Sequence, residues 1–148
     1  MLLAPAAVTL IATAQPAGAA SCQFTSVIGV NFGTYSVFNT SPTASTGSVT
    51  YKCNNGANSV TIDLSRGSAA TYFPRQMLKS TEALQYNLYL DAAATQVWGD
   101  GTGGTVQYGP VNPPGNTNVT VTIFGRVPPG QDVSAGSYVD TITATINF

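Results

Sequence analysis

The segment WGDGTGG at residues 98–104 has the spacing of a known ligand-binding motif. Gly99, Gly101 and Gly104 satisfy G-x-G-x-x-G, with which a strand-to-helix turn binds the pyrophosphate of a dinucleotide. That chemistry requires a helix directly after the glycines, but the residues that follow, TVQYGP, have no helical pattern. We therefore predict a loop or hairpin connection between strands, in which glycine adopts a positive φ at little cost.

Other residue types that support catalysis are scarce. The chain contains no histidine, which excludes Ser–His and Cys–His nucleophiles and histidine-ligated zinc. The acidic residues Asp63, Asp91, Asp132 and Asp140 fall in predicted strands or turns, and no spacing pairs two of them as in glycosidases. Asp91 with Asp100 supplies too few oxygen atoms for calcium. We expect no enzymatic activity, no cofactor and no metal.

Composition also restricts the function classes. Five basic and six acidic side chains give a net charge of −1, without the basic cluster that nucleic-acid binding needs. A hydrophobic fraction of 43% with low charge argues against disorder. Exposed positions must then be mainly Thr, Ser, Asn and Gln, a composition common in extracellular β proteins.

Residues 1–20 resemble a signal peptide, which leaves residues 21–148 as one domain. They contain no charge, an apolar stretch from Leu2 to Ala14, and small residues at 17–19 that suit signal peptidase. The apolar stretch is shorter than the roughly 20 residues of a membrane span. The usual basic residue at the start is missing. If cleavage occurs upstream instead, AAVTLIATA is an alternating segment that can act as a donor strand.

Export makes a disulfide between Cys22 and Cys53 the expected state of the two cysteines. Free thiols are the alternative if the protein stays in the cytosol. The closed loop of about 30 residues would stabilise the fold by roughly 3–4 kcal/mol.

Apolar and polar residues alternate in several runs, which is typical of strands with one buried face. The short segment 75–84 is the best helical candidate, and we expect a loop with a turn of helix there. Turn-rich pieces separate the runs, and an antiparallel β-sandwich fits this pattern. The alternating runs are GSVTYKC, NSVTIDLS, ALQYNLYLD and NVTVTIFGRV, with an earlier one at Ile28, Val30 and Phe32.

The last predicted strand, GSYVDTITATINF, has a long apolar face and no strand after it in this sequence. A sandwich of the immunoglobulin type usually has one more strand, which pairs with this one and closes the core. We therefore expect an open edge and an apolar groove that another chain must fill. Asp140 interrupts the apolar face, and we expect Asp140 and Tyr138 to form structural contacts with backbone or with Arg126 rather than with another subunit. Three aromatic residues are expected to be core or loop anchors rather than sugar-stacking groups: Trp98, Tyr72 and Phe73.

Two long segments resemble the spore coat protein U domain family, whose best-understood members are subunits of archaic, Csu-type chaperone–usher pili. They are LQYNLYLDAAATQVWGDGTGGT (84–105) and IFGRVPPGQDVSAGSYVDTITATINF (123–148). NFGTY at 31–35, Cys53 and Arg75 add to the resemblance, which runs from Cys22 to Phe148.

The resemblance implies an all-β, incomplete immunoglobulin-like sandwich lacking its final strand. It implies a periplasmic chaperone that first fills the gap, an outer-membrane usher, and a neighbouring pilus subunit that later donates a strand. It also implies a secreted protein that passes through the periplasm to the cell surface. The predicted strand-acceptor groove is lined by Ile28, Val30, Phe32, Tyr138, Ile142, Ala144, Ile146 and Phe148.

One departure bears on the position in a fibre. Polymerising subunits carry a donor segment before the first cysteine, whereas Cys22 follows the predicted cleavage point by one to three residues. Such a subunit accepts a strand without passing one on, which predicts a fibre end. The alternatives are a tip or free adhesin that binds a glycan or an abiotic surface, and a structural protein of a spore or cell coat.

Overall fold

The computed structural model describes residues 3–14 and 20–148, and all of the regular structure there is β-strand. Within these ranges no helix is long and apolar enough to cross a membrane. The ten strands are β1 Leu3–Ala14, β2 Cys22–Ile28, β3 Asn31–Ser36, β4 Thr43–Cys53, β5 Val60–Leu64, β6 Arg75–Lys79, β7 Glu82–Tyr89, β8 Tyr108–Val111, β9 Asn118–Val127 and β10 Tyr138–Asn147.

One layer of the sandwich contains β2, β4, β9 and β7, all paired antiparallel. Its longest ladder joins β4 to β9, from Thr43 opposite Val127 to Lys52 opposite Asn118. The predicted alternation is confirmed here, since Val49, Tyr51 and Cys53 are buried and the residues between them are not. Inward apolar residues from this layer meet those of the opposite layer in one core.

The other layer contains β8, β5, β10, β1 and β3 in that order. β10 pairs antiparallel with β5 near its C-terminal end and with β6 at Val139. Since β6 also pairs with β7, it connects the two layers along one side. The opposite edge of β10 is paired with β1, which runs parallel to it and antiparallel to β3.

The prediction for residues 75–84 was wrong, because this segment forms β6, a turn and the start of β7. Arg75 and Met77 are fully buried on β6, and so are Leu84 and Tyr86 on β7. Ser80 has a φ of 54° in the turn between them. The inward positions therefore recur every second residue. The first of them is an arginine instead of an apolar residue, so the sequence lacks the apolar–polar alternation that predicts a strand.

The predicted disulfide is confirmed, with Cys22 and Cys53 directly opposite each other on β2 and β4 and an S–S distance of 2.00 Å. Cys22 opens β2 and Cys53 ends β4, so the bond closes one end of that hairpin-like pair. Both cysteines are buried against the core cluster.

Candidate functional site

The candidate site is the space between β3 and β10, which we call the acceptor groove. The edges of β3 and β10 that face each other are bridged by a single strand, β1, from residues 3–14. Residues predicted to belong to a signal peptide thus occupy this space, while their removal remains a prediction. The other nine strands of the described sandwich come from residues 22–147.

β1 fills the groove through alternate side chains. Ala6 and Val8 are 0% and 4% exposed, and Leu10 is half-buried against the same core. Thr9, between Val8 and Leu10, is exposed, and Ile11, which follows Leu10, is 48% exposed. The segment therefore has the period-two pattern of a half-buried strand, although its overall apolar composition also suits a signal peptide.

The register of β1 against β10 places Ala6 opposite Tyr138, Val8 opposite Asp140 and Leu10 opposite Ile142. On the other side, β1 and β3 pair from Leu3 opposite Ser36 to Ala7 opposite Asn31, with an irregularity after Ala6. The Val8 amide then donates a hydrogen bond of 2.8 Å to the Val30 carbonyl. Main-chain pairing thus extends along both sides of the inserted strand.

Of the residues predicted to line the groove, most lie in the core cluster next to β1, and they come from β3, β10 and the residue before β3. Phe148 is half-buried against this cluster. Ile28 does not join them: it ends β2, is 58% exposed and points away from the core. The buried members are Val30, Phe32, Tyr138, Ile142, Ala144 and Ile146.

Asp140 is a buried carboxylate in the wall of the groove, with 3% exposure. It accepts hydrogen bonds from the Ser68 amide and hydroxyl, each 2.8 Å, and from the Tyr86 hydroxyl at 2.6 Å. Burial, followed by the charge of Asp140, raises the pKa of Tyr86, so this phenol stays a donor. These contacts with a backbone amide and two hydroxyls are the kind of structural role that was predicted for Asp140.

The prediction named backbone or Arg126 as the partner of these two residues, and the described part of the chain shows backbone partners for both and none from Arg126. Its guanidinium donates to the Ala92 carbonyl at 2.8 Å, and it lies on β9 in the other layer. The Tyr138 hydroxyl instead donates to the Ser134 carbonyl at 3.0 Å.

Sequence reasoning missed the buried position of Arg75, which is 0% exposed. Its guanidinium donates to the Ser65 carbonyl at 2.9 Å, to the Trp98 carbonyl at 2.6 Å and to Asn87 Oδ1 at 2.8 Å. Burial lowers the pKa of Arg75. The side chain joins β6 to β7 and to the loops after β5 and around residue 98.

The glycine motif forms a loop, as predicted. Trp98 is fully buried and donates from Nε1 to the Ile62 carbonyl at 2.8 Å, which confirms it as a core anchor. Gly101, Gly103 and Gly104 have positive φ angles of 82°, 59° and 86°. A β-bridge from Trp98 to Val106 and strand β8 follow, where a nucleotide site would require a helix.

This loop and the segment before β6 line one surface cleft of about 620 Å³. Arg66, Phe73, Asp100 and Thr102 contribute to its walls. Of the two residues predicted to be core or loop anchors here, Tyr72 is buried, whereas Phe73 is 51% exposed and lies in the loop outside the core. A hydrogen bond from the Thr102 hydroxyl is the main cause of the lowered pKa of Asp100. Among the residues in the described ranges, no three of His, Cys, Asp and Glu cluster as metal ligands would.

Comparison with known proteins gives three findings. The model of the family described as Spore Coat Protein U domain matches residues 8–145. Protein U of Myxococcus xanthus is 35% identical over 132 residues, a match that covers 80% of this chain and 71% of that protein. The fold also resembles the CsuC–CsuE chaperone–tip adhesion subunit pre-assembly complex from archaic chaperone–usher Csu pili of Acinetobacter baumannii. That match has a TM-score of 0.57 and 20% identity, and covers 87% of this chain and 40% of the other.

Proposed function

The chain belongs to the Spore Coat Protein U domain family, and on this basis we propose that it is a structural subunit of a chaperone–usher pilus. Its function in this proposal is to accept a β-strand from another polypeptide. No group on the chain needs to perform chemistry for that function. The resemblance of the fold to a subunit bound to its chaperone supports the proposal.

The observation that carries the proposal is the position of β1 between β3 and β10. Without residues 3–14, the facing edges of these strands would have unpaired N–H and C=O groups over most of their length. The core cluster would also lose Ala6 and Val8, which belong to it, and Leu10, which packs against it. Such an edge associates with another strand or aggregates, because unpaired backbone groups and apolar surface are both costly to expose.

The mechanism follows from the two kinds of contact that β1 makes. Main-chain hydrogen bonds along both edges supply affinity without depending on sequence. Alternate side chains that enter the groove, as Ala6, Val8 and Leu10 do, set the register, because a shift by one residue would turn the apolar side chains outward. A periplasmic chaperone supplies the strand first, and a neighbouring subunit replaces it after delivery to an outer-membrane usher.

Removal of residues 1–20 would empty the groove and leave one residue, Ser21, before Cys22. In that processed form the subunit has no donor segment of its own, which favours a position at a fibre end. The protein then passes through the periplasm and ends at the cell surface.

A strand-supply experiment tests the proposal. The chain from Ser21 to Phe148 is refolded alone, with a synthetic peptide of residues 3–14, and with the same peptide carrying Val8→Asp and Leu10→Asp. We expect a monodisperse folded product only with the unmodified peptide. The variant peptide keeps the main chain but buries two carboxylates, so it should not bind. Stable monomeric folding of residues 21–148 without any strand would refute the acceptor function.

Assembly itself is tested in cells that produce the full chain with its chaperone and usher. We expect a stable chaperone complex in the periplasm and the protein in surface fibres. Immunogold labelling at fibre ends supports the end position, whereas labelling along shafts contradicts it. A coat structural protein, the alternative that the family description favours, would appear in the coat without chaperone or usher.

A second candidate function is adhesion through the cleft beside the glycine loop. The half-exposed ring of Phe73 offers a stacking surface, and Asp100 and Arg66 offer hydrogen-bonding groups in the same cleft. Phe73→Ala should reduce binding of the protein to a glycan-coated or plastic surface. Phe38→Ala is the matched control, because Phe38 is 71% exposed but lies outside this cleft. Equal effects of the two substitutions would argue against a role for the cleft.

A further inference from the structure

Gly29 lies at the corner between β2 and β3, where β1 crosses it. A Cβ atom built on Gly29 would lie 2.3 Å from the Val8 carbonyl oxygen and 3.4 Å from the Val8 carbonyl carbon. The next nearest atom is the Leu10 backbone nitrogen at 3.7 Å. All three atoms belong to the backbone of β1, so the inserted strand occupies the space that a side chain at residue 29 would need.

The conformation of Gly29 does not itself require glycine. Its φ lies outside the left-handed region, in contrast to that of Gly33, which is +65°. An alanine or valine at residue 29 is thus compatible with the local backbone. The crossing strand is what excludes a side chain at this position.

The clash would occur at Val8, the last residue of β1 with a main-chain hydrogen bond to the segment at the start of β3. The Val8 amide donates to the Val30 carbonyl, and the Val8 carbonyl is the group that faces Gly29. Backbone atoms in a paired strand cannot rotate away as the end of a flexible side chain can. A side chain at residue 29 would therefore displace the strand or break this hydrogen bond.

We propose that the acceptor groove admits an extended strand only while residue 29 has no side chain, so that Gly29 is required for strand acceptance. This inference rests on the proposed strand-accepting function and names the position on which it depends. It applies to any strand that follows the path of β1, whether from this chain or from another.

The test uses the full chain with Gly29→Ala and Gly29→Val, and measures backbone hydrogen exchange by segment. We expect amides in residues 6–12 to exchange at least ten-fold faster in Gly29→Val than in the unmodified protein, with a smaller increase in Gly29→Ala. The increase should be smaller for amides in the ladder between β4 and β9, because a side chain at residue 29 would clash with the backbone of β1 and not with that ladder.

Two controls separate this effect from general destabilisation. Ile28→Ala changes the exposed neighbouring side chain and should leave the exchange of residues 6–12 unchanged. Gly47→Ala would place a Cβ 2.5 Å from the Ile28 carbonyl oxygen and 3.0 Å from both the Gly29 carbonyl carbon and Val30 Cγ2, so its clash is with residues 28–30 and not with β1. It should raise exchange in β4 as well as in β1.

Unchanged protection of residues 6–12 in Gly29→Val would overturn the inference, and so would an equal increase of their exchange in Ile28→Ala. These results are independent of fibre assembly. If Gly29→Val releases β1 but the unmodified protein never binds a chaperone or enters a fibre, only the proposed function fails. If the protein enters fibres and Gly29→Val leaves β1 protected, only the inference about Gly29 fails.

Discussion

Val8→Ala tests how strongly the side chains of β1 hold it in the acceptor groove. Val8 is 4% exposed and packs in the core cluster, so the substitution removes two buried methyl groups. At about 0.8 kcal/mol for each, the loss is about 1.6 kcal/mol, and a residual cavity raises it to about 2 kcal/mol. By the rule of about 1.4 kcal/mol per factor of ten, the equilibrium constant for β1 in the groove should fall by about 15- to 30-fold.

The matched control is Thr9→Ala, at the adjacent residue that points outward. Thr9 is exposed, so its truncation should change stability by less than about 0.5 kcal/mol. Urea denaturation measures the effect if β1 leaves only when the whole domain unfolds. Hydrogen exchange of residues 6–12 measures it if β1 leaves first. Equal effects of the two substitutions would refute the assignment of Val8 to the inner face and of β1 to the groove.

Three further outcomes are expected. Arg75→Met should lower the free energy of unfolding by about 3 kcal/mol or more, measured by urea denaturation, because it leaves several buried acceptors without a donor; a loss below about 1 kcal/mol would contradict this. Reduction of the Cys22–Cys53 disulfide, which closes a separation of 31 residues, should cost about 3–4 kcal/mol in the same assay, and an unchanged midpoint would contradict the calculation. Hydrogen bonds from Ser134 lower the pKa of Glu82 from 4.5 to about 2, so its contribution to stability should be present above pH 4.5 and lost as the pH falls towards 2. Glu82→Gln should flatten thermal stability against pH over that interval, and an unaltered profile would refute the role of Glu82.

The strand content could be predicted because most strands have one buried face, and alternation records which face that is. Val49, Tyr51 and Cys53 on β4 illustrate this. The pattern failed for residues 75–84 because Arg75 is buried there. Its burial is possible because carbonyl groups from the Ser65 and Trp98 segments accept hydrogen bonds from its guanidinium. Hydrophobicity alone does not reveal such partners.

The candidate site was predicted only in part, for a different reason. Most of the predicted lining residues lie beside β1, since the apolar face of β10 is evident from its sequence. The occupant was harder to recognise, because a short apolar segment of small residues fits a signal peptide and an inserted strand equally well. Gly29 was also missed, since what makes it necessary is a backbone oxygen of a strand far away in sequence.

The short connection from β1 to β2 affects how well a strand from another chain can compete with β1 for the acceptor groove. Only residues 15–21 separate Ala14 from Cys22, and the disulfide anchors Cys22 to β4. A tether this short gives the attached segment an effective concentration on the order of millimolar. A competing peptide of equal intrinsic affinity would have to reach that concentration to occupy the groove in half of the molecules. Proteolytic cutting of the tether would abolish this advantage at once, turning a self-occupied domain into one open to exchange.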